Sequence, residues 1–231
     1  MLYEDYGAST RDALEGTLGR LLDLLRRYGA QKDPAQYFMA WVKQAFASSP
    51  ADRKIIGRTM TFANLAHGRK KRETGEAYII HPISAAAIIG VHLDIKDAIG
   101  IAGAIGHDTK EDHEVLARLA FLFRIDQSVL DIIDQCNRNG YEEILDKTER
   151  DDAFLGGIFS GGSERVMLVK SAEKIHNNLT PAPQKLADLL WRKRKVRTIR
   201  RWYEPIVQKT GLLVEEMTAS RTAIENGIRM I

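Results

Sequence analysis

An all-α helical bundle is the fold class this sequence predicts, and three observations predict it. Apolar residues recur at three- and four-residue spacing over long segments, only six prolines interrupt 231 residues, and no stretch sustains the alternation of a half-buried strand. A chain of this length can bury a substantial core, as one domain or as one domain with helical extensions.

The elements follow in order. A first helix is expected from Ser9 to about Tyr28, with Leu14, Leu18, Leu21, Leu22 and Leu25 as its apolar stripe, before "YGAQKDP" stops it. The second, "PAQYFMAWVKQAFA", opens on Pro34, whose fixed φ suits the first helical position. A third begins near Asp52 and continues through "IIGRTMTFANLAH". A basic loop with a flexible glycine, "GRKKRETGEAY", leads to "ISAAAIIGVHL" and "KDAIGIAGAIGHDTKED", two apolar helices whose small residues permit close contact. "EVLARLAFLF" and "QSVLDIIDQC" read as another helix pair, with Cys136 a buried small hydrophobe. The four glycines of "LGGIFSGGS" read as a mobile loop. "ERVMLVKSAEKIHNNL" is a helix closed by "TPAP", and its period places Glu173 and Asn177 one turn apart. The basic "KLADLLWRKRKVRTIRRWYEPIVQKTG" reads as one long helix capped at Gly211, before a short last helix to about Asn226.

Charge and composition narrow the function classes. Lysine plus arginine total 34 against 31 acids, so the net charge of +3 gives no strong drive toward nucleic acid. The basic run around Arg194, Lys195, Arg197, Arg200 and Arg201 reads as a solvated helix face with Trp191 and Trp202 on the core, a reading compatible with drawing in a charged substrate. The lone Cys136 excludes an intrachain disulfide, and "MLYEDYGAST" lacks a basic segment followed by an apolar signal core. No apolar run approaches the roughly 20 residues that span a bilayer. The expectation is a cytoplasmic protein without a membrane partner, with self-association left open.

The chemistry concentrates in "GHDTKEDHE", Gly106 to Glu114. A helix through it would place Glu111 one turn after His107 and Asp112 one turn after Asp108. Imidazole and carboxylate together can hold a divalent ion that acidifies water, while a neighbouring carboxylate orients that water or takes its proton. An arbitrary cluster of this kind is more often a solvated helix end.

Two further segments change the weighing. "AHGRKKRETGEAYIIHPISAAAII", "IAGAIGHDTKED" and "VKSAEKIHNN", in that order, resemble the three successive motifs of HD-domain hydrolases of the RelA/SpoT type, including small stand-alone alarmone hydrolases. The match runs from about Phe62 to about Thr180. The resemblance implies an HD-domain helical bundle over residues 34–210, with an N-terminal helical extension at 1–33 and a C-terminal helical tail at 211–231. It implies an enzyme that removes pyrophosphate from the ribose 3′ position of ppGpp or pppGpp, leaving GDP or GTP, with a guanosine polyphosphate as its partner. By the same resemblance His81, His107, Asp108 and Glu173 hold a divalent metal, usually manganese, and Glu111 and Asp112 form the catalytic acidic pair. Arg72 is the arginine that stacks on guanine, and Tyr78, Asn177 and Thr180 line the nucleotide pocket.

The sequence departs from the pattern at three places. Glu173 stands where the family has aspartate, one methylene longer than expected of the fourth ligand. Glu73 replaces a second basic residue, and Ala77 replaces the proline before the tyrosine. The last two keep another nucleotide, such as a deoxynucleotide, a nucleoside monophosphate or NADPH, as an alternative substrate. The first keeps a non-catalytic alarmone-binding regulatory module in view. Among the other histidines, His67 is expected in a structural or outer role, His176 as facing either the site or a neighbouring helix, and His92 and His113 as ordinary satisfied or surface residues.

Overall fold

A computed structural model of the chain describes residues 16–68, 70–112, 120–138 and 140–231. Helices dominate, and the strand-like geometry among the described residues is an isolated antiparallel bridge between Lys71 and Ala77. The all-α expectation holds.

Helix α1 (Thr17–Gly29) turns Leu18, Leu21, Leu22, Leu24 and Leu25 into the core together with Tyr28. The expected start at Ser9 lies outside the described residues. Helices α2 (Pro34–Ala45) and α3 (Pro50–His67) both begin with proline behind a capping side chain. Asp33 accepts the Gln36 N–H at 2.9 Å and Ser49 the Asp52 N–H at 3.4 Å, satisfying donors that a helix start leaves unpaired.

The centre of the molecule is built from small residues, as the sequence predicts. Helix α4 (Ile80–Ala87) is buried along its whole length and continues into a π-helical turn at Ile88–His92. Helix α5 (Ala98–Gly106) packs against α3, α4, α7 (Gln127–Cys136) and α9 (Glu164–Leu179), with the one-turn helix α6 (Thr109–Asp112) following it. Its glycines set the spacing. A Cβ on Gly103 would lie 2.7 Å from Ile132 Cγ2, and one on Gly106 2.6 Å from Ile133 Cδ1, so α7 approaches α5 only because both side chains are missing.

Two expectations about the second half are corrected. "LGGIFSGGS" is not a loop over most of its length: helix α8 (Lys147–Gly161) runs through it and buries Phe154, Leu155 and Ile158. Gly156 serves packing there, since its Cβ would meet Trp202 Cη2 at 3.2 Å. The basic segment is not one helix either. It comprises α10 (Pro183–Ala187), α11 (Leu189–Thr198), a π-helical turn at Ile199–Tyr203 and α12 (Glu204–Thr210). Asp188 makes the first break, because its carboxylate leaves the helical pattern to accept the N–H groups of Leu190 and Trp191. Gly211 closes α12 at φ 70°, a left-handed conformation open to glycine at no steric cost. The last helix, α13 (Val214–Asn226), packs on α9 and α1.

Of the expected pair after α6, "QSVLDIIDQC" is α7, and Ala120–Phe123 form a short 3₁₀ turn; the residues before Ala120 lie outside the described residues. Cys136 is buried, and burial pushes its thiol up to about 12, the chemistry of an inert core residue. Among the described residues no helix is long and apolar enough to cross a membrane.

Candidate metal centre

Three segments far apart in sequence deliver the central cluster. His81 sits in the first turn of α4, and His107 and Asp108 follow directly on α5, at the core end where the glycine contacts hold α5 in place. Each of the three offers a ligand atom within 4.8 Å of the others, and all are buried. His176, in α9, completes the wall: its Nδ1 lies 2.9 Å from His81 Nδ1.

The donor accounting at this cluster calls for a cation. His107 donates from Nδ1 to the Ala104 carbonyl at 2.7 Å, which leaves Nε2 to face inward. That Nε2 is buried without a hydrogen-bond partner, although Asp108 Oδ1 lies 3.0 Å away. His81 Nε2 lies 3.4 Å from Asp108 Oδ2. Nitrogen lone pairs and a carboxylate converging at these distances repel unless a positive charge sits among them, and either a proton or a metal ion meets that need. With a proton there, burial works against a charged His107, but the Asp108 carboxylate outweighs it and raises the imidazole pKa above 6.5. Burial likewise opposes ionised Asp108, and the charge and hydrogen bond of His107 overcome it, holding the acid well below its ordinary range. Burial lowers His81 to about 3 against the pull of Asp108, so it is neutral and available as a ligand. The residue set suits a divalent ion, two imidazoles and a carboxylate being common ligands of first-row metals.

The predicted neighbours divide into two groups. Tyr78 donates its hydroxyl to Asp108 Oδ2 at 2.9 Å, and its ring lies 4.8 Å from that of His67, which fits an outer role for that histidine. Arg72 donates to Thr180 Oγ1 at 2.9 Å and to Asn177 Oδ1 at 3.0 Å, so three expected nucleotide-binding residues form one network, steadied by Glu76 at 2.9 Å. The local turn explains the placement. Arg72 and Tyr78 flank the reversal at Gly75, where φ is 91°, and the Tyr78 N–H donates to the Lys70 carbonyl.

Glu173 lies outside the three-residue cluster. Its Oε2 is 2.5 Å from Lys170 Nζ, and its Oε1 accepts from Asn177 at 2.9 Å, the one-turn pairing that the helical period predicts. Burial would raise its pKa, but Lys170 outweighs burial and keeps the carboxylate ionised. Glu111 accepts the Arg138 N–H at 2.8 Å, and burial raises its pKa. Asp112 ends α6, and its side chain lies outside the described residues, as does His113. His92 is satisfied by Glu216 at 2.6 Å, in keeping with the expectation of an ordinary satisfied residue.

Beside the cluster opens a cleft of about 670 Å³, whose lining includes Glu173 and Tyr78, the residue bonded to Asp108. Basic side chains dominate its lining, among them Lys71, Arg72, Arg138, Lys174, Arg194 and Lys195, with Glu73 and Glu173 as the acids. Burial, then repulsion from Lys195, holds Lys174 well below its ordinary pKa, and burial lowers Lys195 to about 8. Arg194 Nε is buried without a hydrogen-bond partner. Such a concentration of under-compensated positive charge fits a polyanion. Here the solvated-face expectation for the basic run needs correction: Trp191, Arg194 and Lys195 line the cleft, whereas Arg197 and Arg201 pair with Asp152, and Arg200 with Glu225. The "KRK" run carries no positional signal, because which of its side chains reach the cleft depends on how α11 packs against α8 and α13.

Fold and site together define an all-helical protein with a cation-demanding His–His–Asp cluster at the edge of a basic cleft. No protein-family model matches the chain. Curated proteins do resemble it. It is 30% identical over 151 residues to "Putative GTP diphosphokinase RSH1, chloroplastic" of Oryza sativa subsp. japonica, covering 58% of this chain and 16% of that one. It is 28% identical over 168 residues to the guanosine-3′,5′-bis(diphosphate) 3′-pyrophosphohydrolase of Borreliella burgdorferi, covering 70% and 24%. The Aquifex aeolicus protein of the same name is 28% identical over 173 residues, covering 71% and 22%. The chain is a sequence relative of RelA/SpoT-type proteins, and the matches span less than a quarter of those relatives' length.

Proposed function

We propose that the chain is a metal-dependent hydrolase that removes the 3′-pyrophosphate from guanosine alarmones, giving GDP or GTP and pyrophosphate. The observation that carries this reading is the buried His81, His107 and Asp108 cluster at the edge of a cleft rich in lysine and arginine. The names of the relatives supply the substrate class. A divalent ion held by His81, His107 and Asp108, with manganese the choice that the family resemblance supplies, would provide the positive charge that acidifies water and polarises a phosphoryl oxygen.

The remaining work falls to this chain's own groups. Tyr78, by donating to Asp108, fixes that carboxylate's orientation. Glu111, its pKa raised chiefly by partial desolvation, is assigned with Asp112 to orient and deprotonate the attacking water. Arg72, Asn177 and Thr180 take the nucleoside side of the substrate, and Lys174, Arg194 and Lys195 neutralise its phosphates. Residues 34–210 are assigned as the hydrolase unit.

The test is hydrolysis of ppGpp with product identification across divalent metals, run beside His107→Ala and Asp108→Ala. GDP plus pyrophosphate in the presence of manganese, lost in both variants, is the expected result; full activity in either variant refutes the site. Turnover of another nucleotide with ppGpp inert moves the assignment to that substrate. One observation favours a second reading, a binding module without turnover: Lys170 engages the carboxylate expected as fourth ligand. Alarmone binding without metal-stimulated turnover, with turnover appearing in Glu173→Asp, would establish it.

A further inference from the structure

Of the two acids that line the basic cleft, Glu173 is buried and engaged by Lys170, whereas Glu73 stands at the mouth. Glu73 Oε2 lies 2.7 Å from Lys185 Nζ, which also lines the cleft. The two side chains are 55% and 41% exposed, against 13% for Arg72, the neighbour of Glu73 in the loop before α4. Lys185 belongs to α10, just after Thr180. The pair thus joins the same two stretches of chain as the Arg72 hydrogen bonds to Asn177 and Thr180, but further toward solvent.

Charge gives this placement a consequence. An ion pair so exposed is screened and contributes little, so a phosphate can draw Lys185 away from Glu73 at small cost. The Glu73 carboxylate stays behind, and it repels phosphates within about 10 Å, the screening distance at ordinary ionic strength. A lining that otherwise rewards every added phosphate therefore carries a counterweight at its outer end. In the reaction proposed above, the 3′-pyrophosphate goes to the histidine cluster and the nucleoside to Arg72, Asn177 and Thr180, which are set deeper than Glu73. The 5′-phosphate chain is the part of the substrate left to extend to the mouth.

We infer that Glu73 is a selectivity residue for the 5′ end of the substrate, favouring a short 5′-phosphate chain over a long one through its own charge and its hold on Lys185. It stands where the family pattern has a basic residue, so the charge at this position is reversed in this chain. Selectivity here comes from a repulsive element placed against the unwanted ligand. The inference rests on the nucleotide assignment of the cleft and deepens it by naming what grades nucleotides by phosphate number.

GMP, GDP and GTP differ only in that chain, and the test titrates each into the full chain by calorimetry at low salt without divalent metal. Glu73→Gln should tighten binding, relative to wild type, by about 2- to 5-fold for each phosphate beyond the first, the effect of a unit charge across several ångströms of solvent. Lys185→Met, which leaves Glu73 unpaired, should shift the dependence the opposite way. The double variant restores the net charge of the pair and should return near the wild-type dependence, and about 0.5 M salt should erase the differences. A pair that serves only to tether the loop gives another pattern, in which both single variants weaken all three nucleotides alike by loosening Arg72. That pattern, an unchanged dependence on phosphate number in Glu73→Gln, or differences that persist in salt overturn the inference while leaving ppGpp hydrolysis untouched. Failure of wild type to bind any of the three, or binding that Arg72→Ala leaves unaltered, overturns the nucleotide assignment and the inference together.

Discussion

Replacing Glu173 by glutamine tests the ion pair at the heart of α9. The substitution removes a charge, keeps the side-chain length, and preserves an oxygen for Asn177, so the lost interaction is that with Lys170. The pair lies 2.5 Å apart, with side-chain exposures of 2% for Lys170 and 7% for Glu173. At an effective dielectric of about 20, charges so placed attract by about 7 kcal/mol, and most of that offsets the cost of taking both ions out of water. The pair itself therefore adds little net stability. Removing one member is different, because the remaining lysine stays buried without compensation, and the expected cost is about 3–5 kcal/mol. Urea unfolding followed by circular dichroism at neutral pH measures it. A double variant, Lys170→Met with Glu173→Leu, should recover most of the loss, since it removes both desolvation costs.

The pH dependence carries the opposite check. The folded carboxyl of Glu173 is held well below its ordinary 4.5, so the unfolded chain takes up a proton before the folded one does. Its contribution is complete above about pH 4.5 and is lost as pH falls further toward the folded value, so the gap between wild type and Glu173→Gln should shrink in acid. A loss under about 1 kcal/mol at neutral pH, or a gap that widens in acid, would refute a buried, compensating pair.

Other parts of the structure give sharper local tests. Leu21→Ala should cost about 2–5 kcal/mol within a single cooperative unfolding transition, because Leu21 is fully buried in the shared core; a separate early transition for α1 would contradict this. Gly103→Ala should cost about 1–3 kcal/mol by thermal denaturation, since the added methyl would sit 2.7 Å from Ile132 Cγ2 and α7 must shift to admit it. Tyr78→Phe should weaken Mn2+ binding by about 10-fold with little change in melting temperature, as the hydroxyl holds Asp108. Polyphosphate binding near pH 8 should take up protons, measured by calorimetry in buffers of different ionisation enthalpy, because anions recharge Lys195, whose pKa is lowered to about 8.

What could be read from the sequence was what short-range periodicity controls. The α9 segment from Glu164 to Leu179 was legible to the residue, and the small residues of α4 and α5 announced a close-packed centre. His81, His107 and Asp108 were legible as a set through motif order, and Arg72, Asn177 and Thr180 do meet. The failures share a cause in long-range contact. Gly156 looks like a loop glycine until Trp202 is packed over it, and nothing local tells packing from flexibility. Asp188 looks like one polar residue in a helical run until its carboxylate captures two backbone donors. Glu173 meets Asn177 one turn on, as the helical period implies, while Lys170 three residues earlier engages its other oxygen. His176 meets His81 and Arg72 across 95 and 104 residues, a separation that no local pattern reports.

The walls of the basic cleft come from opposite regions of the chain: Lys71 and Arg72 from the loop before α4, Arg194 and Lys195 from α11. A nascent or damaged chain whose α11 has not docked would keep the histidine cluster and lose Arg194 and Lys195 from the wall of the cleft. Nucleotide binding would then select for complete folding, because a ligand held only by the finished cleft stabilises that state in proportion to the logarithm of its concentration. If the proposed nucleotide is what fills the cleft, its supply becomes a condition of the complete fold's persistence.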